Sequence, residues 1–155
     1  MYTKTEAAQR RQAFWTAFGQ YMAPVPAADG RPTHWVNYRT GVRHVGVRLS
    51  ADQRRATIAL ELTHPDGGLR ALFYEQLLEL RPLLLETTGD GWTWQTDARN
   101  ENGQPVSGIQ QELAPVNLFE RADWPQLISF FKPRLVALDA FWDQARHAFE
   151  DLAGG

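Results

Sequence analysis

The sequence predicts an α+β domain, an antiparallel sheet covered by helices, in the order α-β-β-β-α-β-β-α. Three observations carry this. Stretches with apolar residues at helical spacing open the chain, close it and divide its middle. The runs between them alternate apolar and polar residues, which is the period of a half-buried strand. The links between neighbouring runs are hairpin-sized, so the strands should pair antiparallel. At 155 residues and 43% hydrophobic content the chain suits one domain, 1–155, with enough apolar surface for a core.

The first helix is expected over Thr3–Met22, where Phe14, Trp15, Phe18, Tyr21 and Met22 recur at helical spacing. Pro24, Pro26, Gly30 and Pro32 make the next ten residues a loop. Three strands should follow: His34–Tyr38, His44–Ser50 and Ala56–Thr63. Asp66 is placed to cap a helix from Leu69 to Thr87, kinked at Pro82 and stopped at Gly89. Trp92 and Trp94 share a face of the next strand, and Asn102-Gly103 offers its turn. Val106–Leu113 returns, with Gly108 marking a bulge. Asp123 should cap the last helix, which runs to Leu152 and bends at Pro133. Its residues Phe131, Leu135, Leu138, Trp142, Ala145, Phe149 and Leu152 step by four and three. Such a seam suits a core, or pairing with a second copy of the chain.

The hairpin lengths suggest a register. With Ser50 facing Arg55, Val47 faces Ile58 and Val45 faces Leu60, both apolar pairs. With Tyr38 facing Arg43, the opposite face carries Trp35, Gly46 and Ala59 in one row. Asn37, His44 and Glu61 form the other. A carboxylate beside an imidazole beside an amide is a chemically capable row, so Glu61, His44 and Asn37 are the catalytic candidates. It is also how a half-exposed sheet face looks. Glu61, His64 and Asp66 are metal-ligand types near one strand end, and they are weak metal candidates. They converge only if the strand turns at Thr63; otherwise Asp66 is a cap and His64 a loop residue. Gln76 interrupts the apolar stripe of its helix and as a buried amide needs a partner.

The net charge of −2 hides an asymmetry. Residues 1–55 hold nine basic residues against three acidic ones, and the remainder seven against fifteen. All the basic residues but Lys4 and Lys132 are arginines, which suit bidentate contact with phosphate or carboxylate. The absence of cysteine excludes disulfides, Cys-ligated zinc, iron–sulfur clusters and thiol catalysis. No apolar run is long enough to span a membrane and no signal-peptide pattern opens the chain, so no membrane contact is expected. The phosphate-loop, dinucleotide-loop, His-Glu-x-x-His and nucleophile-elbow motifs are all missing.

Four blocks resemble one family: Phe14-Trp15 with Phe18-Gly19-Gln20-Tyr21-Met22; Trp35 through Gly41; Glu61-Leu62-Thr63-His64 leading to Phe73 through Leu77; and Asp123-Trp124-Pro125 followed by Ile128 through Leu135 and Leu138 through Trp142. Together they are similar to the bacterial family called domain of unknown function 4268. The resemblance implies a bacterial, cytoplasmic protein, found alone or ending longer chains, some of which begin with a restriction-nuclease-like domain. The element order is also similar to the restriction-nuclease core, whose acid and acid-x-Lys pair hold magnesium. The nearest candidates are Asp52 and Glu61, and the lysine is missing at Thr63.

The expected function is therefore a non-catalytic binding or interaction module with nucleic acid or another anionic partner. Trp35, Tyr38, Arg39, Arg43, Arg48 and Gln76 are its binding candidates, with Arg54 and Arg55 nearby. No cofactor is expected. The alternatives are a diverged metal-dependent phosphodiesterase, the only reading that needs a divalent metal, and a homodimer formed through the last helix.

Overall fold

Thr3 starts the first helix: its hydroxyl accepts from the Glu6 N–H at 3.1 Å, and α1 runs Lys4–Met22. The structure, a computed structural model, describes residues 2–154; Met1 and Gly155, the ends of the expected domain, lie outside the described residues. The remaining elements are β1 (Val45–Ala51), β2 (Ala56–Leu62), α2 (Gly67–Glu79), α3 (Arg81–Thr88), β3 (Thr93–Arg99), β4 (Pro105–Leu113) and α4 (Trp124–Gly154). The class is α+β, with one antiparallel sheet in the order β1-β2-β4-β3.

The order is α-β-β-α-α-β-β-α, and two of the expected elements change. His34–Tyr38 is not a strand. Its side chains are held by non-strand neighbours: Trp35 Nε1 donates to the Val25 carbonyl at 2.9 Å and Tyr38 donates to Asp139 at 2.6 Å. Strand-type residues mark a half-buried surface, which here a loop and α4 supply. With two strands before α2 instead of three, the restriction-nuclease order does not hold. The helix expected over Leu69–Thr87 breaks at Leu80, where ψ is 7°, and resumes with Pro82 in the first turn of α3. Proline has no N–H to continue a helix but suits a helix start.

The register of β1 on β2 differs from the expected one by two residues. Val47 faces Leu60, Val45 faces Leu62 and Gly46 faces Glu61. A shift of two keeps every side chain on its face, so Val45, Val47 and Leu49 still turn toward Ile58, Leu60 and Leu62. The turn is no longer than expected but is centred one residue later, after Ala51, where Asp52 Oδ1 accepts from the Arg54 and Arg55 N–H groups.

The inner face of the sheet packs on α4. Phe131, Leu135, Leu138, Trp142, Ala145 and Phe149 are all buried within this chain and Leu152 is half-buried, so the heptad-like seam is core as far as Phe149. Phe14 and Phe18 of α1 close on Phe131 from the other side, with ring centroids 6.4 and 5.8 Å apart. Asp123 does not cap α4. It lies in a single 3-10 turn, Arg121–Asp123, and accepts from the Asn117 N–H at 2.8 Å.

Candidate functional site

Among the described residues no helix covers the outer face of the sheet, which carries a trough of about 410 Å³. Its shape follows from the cross-strand rows. Glu61 stands between Gly46 on β1 and Gly108 on β4, and Ala59 stands between Arg48 and Gln110. Small residues on both sides leave a hollow around Glu61. Gly108 cannot be replaced, because its φ is +144° and a Cβ there would collide with the Leu60 carbonyl oxygen. The expected irregularity at Gly108 appears on its neighbour instead: β3 bulges between Gln95 and Ala98, with Asp97 at φ +51°.

The walls are charged in pairs. Arg48 meets Glu101 of the β3–β4 hairpin at 2.7 Å, which draws the hairpin tip over the trough. Arg55 meets Glu112 at 3.1 Å, and Arg99 donates to the Gly103 carbonyl at 2.7 Å. Glu61 has no ion-pair or hydrogen-bond partner among the described residues. Partial burial raises its carboxyl above the usual range; Arg48 lowers it and Glu101 raises it. Solvent still reaches it, since no fully buried side-chain oxygen or nitrogen goes unpartnered among the described residues. The trough thus offers a reachable, unpaired carboxylate on its floor and donors along its rim.

The other expected site residues go elsewhere. The row of Asn37, His44 and Glu61 is not formed. Asn37 lies in a loop beside α1, and His44 precedes β1 with φ +68°. His44 packs on His64, ring centroids 4.5 Å apart, and its pKa is lowered by desolvation, then by His64 and Arg43. His64 Nδ1 accepts from the Asp66 N–H at 3.1 Å, and Asp66 caps α2 by accepting from Leu69 N–H at 3.0 Å. The Leu69 and then the Gly68 N–H groups, with the nearby His64 and Arg70, lower the Asp66 pKa. His64 Nδ1 and Asp66 Oδ1 are therefore holding a turn, while Glu61, the third candidate, lies in the trough. Among the described residues no group of three or more His, Asp or Glu side chains could hold a metal ion.

Trp35 is 2% exposed and cannot stack on a base, and the Tyr38 hydroxyl is tied to Asp139. Arg39 and Arg43 are exposed but outside the trough, and Gln76 is half-buried on α2 away from it. Asp52 serves its own turn. Of the binding candidates only Arg48, with Arg55 beside it, reaches Glu61's trough. Sequence reasoning missed Gln95, Gln110, Glu112 and Glu101. The first three were legible as the outward positions of alternating strands, whereas Glu101 reaches Arg48 only because the hairpin curls.

Fold and site define a helix-backed antiparallel sheet with one polar face that carries a trough. The chain belongs to the family described as domain of unknown function (DUF4268), whose model matches residues 10–146. All four blocks of the resemblance fall within that range. No curated protein and no solved structure matches the chain. No helix among the described residues is long and apolar enough to cross a membrane.

Proposed function

We propose that the chain is a non-catalytic binding module whose trough takes a polar ligand bearing both charge signs, such as an extended peptide segment. The observation that carries this is Glu61: a carboxylate on the floor of a hollow, reachable and without a partner among the described residues. It calls for an amine, amide or guanidinium donor. Arg55 and Arg99 on the walls suit a carboxylate on the same ligand.

Charge balance weighs against a polyanion here. Arg48, Arg55 and Arg99 share the trough with Glu61, Glu101 and Glu112, so it presents no net positive field to nucleic acid. The test is an NMR titration of the amides of Thr57, Glu61 and Gln110. The probes are a Lys-Gly-Glu tripeptide and a single-stranded oligothymidylate. The tripeptide should shift these amides at millimolar concentration, and Glu61→Gln should abolish the shifts. Silence from the tripeptide, or tighter binding of the oligothymidylate at the same amides, would overturn the proposal.

A further inference from the structure

The two edges of the sheet are unlike. At the β3 edge the bulge turns Asp97 out of register, and its N–H donates to Ser107 Oγ at 3.1 Å. Bulges of this kind block the addition of another strand. The β1 edge has no bulge and no proline; among the described residues β2 is the helix or strand that packs closely along it, and the loop at Val116–Leu118 meets its end, where Leu118 N–H donates to the Asp52 carbonyl at 3.0 Å.

The hydrogen-bond alternation shows which backbone groups face outward. Thr63 N–H donates to the His44 carbonyl, and Asp52 N–H to the Arg55 carbonyl. Between these two ends, Gly46, Arg48 and Ser50 turn their backbone groups to β2, and Val45, Val47, Leu49 and Ala51 turn theirs away. Val45 is already served, by the Val42 carbonyl at 3.2 Å and the Thr40 hydroxyl at 2.6 Å. The outward N–H and C=O groups of Val47, Leu49 and Ala51 have no partner among the described residues.

Charge selects the occupant. Arg43 before β1 and Arg54 after it are exposed and have no ion-pair partner among the described residues. Asp52, the nearest acid in sequence, is engaged with its own turn. Two registers of a second copy are unfavourable. Antiparallel pairing of two β1 strands centred on Arg48 sets Arg48 against its own image, and centring on Leu49 sets Arg43 against Arg55. Like charges facing each other across strands are unfavourable.

We propose that the β1 edge takes an extended acidic segment of another protein by strand addition. The backbone of Val47, Leu49 and Ala51 forms the ladder, and Arg43 and Arg54 pair with acidic side chains at its ends. Apolar side chains of the added strand lie beside half-buried Val47 and Leu49, and polar ones lie on the trough side, beside Arg48 and Ser50. The site is independent of the ligand proposed for the trough.

The experiment uses a fluorescein-labelled heptapeptide alternating Glu with Val, and its Lys-for-Glu counterpart. The acidic peptide should bind and slow amide exchange at Val47, Leu49 and Ala51. Arg43→Glu with Arg54→Glu should weaken binding roughly tenfold, the sum of two exposed ion pairs. Arg81→Glu, at the β3 side of the sheet where Arg81 lies over Trp94, should leave it unchanged. Equal binding of the basic peptide, unchanged exchange at the three amides, or insensitivity to the double reversal would overturn the proposal. So would light scattering that shows a dimer protecting the same amides without peptide.

Discussion

Two carboxylates of this chain have been drawn away from water, with opposite results. Asp139 on α4 is 6% exposed and accepts two bonds, from the Ala28 N–H at 2.7 Å and the Tyr38 hydroxyl at 2.6 Å. Burial and this carboxylate push the Tyr38 pKa far above its ordinary value, so the phenol stays protonated as a donor. Glu61 on β2 is half-buried and accepts no bond from the described residues. Asp139 is a cross-link between α4 and the loop after α1. Glu61 is an acceptor that the fold leaves without a donor among the described residues. A buried carboxylate is structural when the fold supplies its donors, and it becomes a candidate site when the fold leaves it reachable and without them.

The largest expected effect breaks the satisfied partner. Asp139→Ala leaves the Ala28 N–H and the Tyr38 hydroxyl without an acceptor and should cost about 2–4 kcal/mol in urea unfolding. Asp139→Asn keeps one oxygen acceptor and should cost less. A loss below about 1 kcal/mol for the alanine variant would erase the contrast.

Glu61→Gln should be near neutral or stabilising. The folded pKa of Glu61 lies above its unfolded value near 4.5, so the native state binds more protons just above that pH. The stability this proton brings is present below the unfolded pKa and lost as pH rises through the folded one. Unfolding free energies from about pH 4 to 7 should therefore show the Gln variant gaining on the wild type as pH rises. A difference that falls with pH would mean that Glu61 is paired after all.

The smallest effect sharpens the comparison with an opposite sign. The folded pKa of His44 is lowered, so its contribution is present above the unfolded value near 6.5 and lost as pH falls through the folded one. His44→Asn keeps a residue that tolerates positive φ and should flatten the acid side of the stability profile between about pH 7.5 and 5. An unchanged profile would show that the His44–His64 contact does not resist protonation.

Strand alternation alone placed the outward faces of β1 and β2, and a register two residues off did not disturb them, because the side-chain period is two. The cap at Asp66 and the break near Pro82 were likewise local chemistry. The charge asymmetry of the chain was real in sequence but does not persist as one spatial polarity. Arg48 and Arg55 come from the basic part, and the fold pairs them with Glu101 and Glu112 from the acidic part. Trp35 and Tyr38 looked like strand residues with exposed rings because nothing local reveals that α4 and the Val25 carbonyl will take them.

By itself the sequence determined the class of fold, the long helices, the strand faces and the family, since periodicity, capping and composition are properties of neighbouring residues. Only the tertiary structure decided which polar groups find partners. It brought Asp139 to two donors more than a hundred residues away in sequence and curled Glu101 over Arg48. It left Glu61 between two glycines with no donor among the described residues, and left the β1 edge open at Val47, Leu49 and Ala51. Burial fixes what each of these groups needs, and whether it is met depends on chain segments that no local pattern brings together.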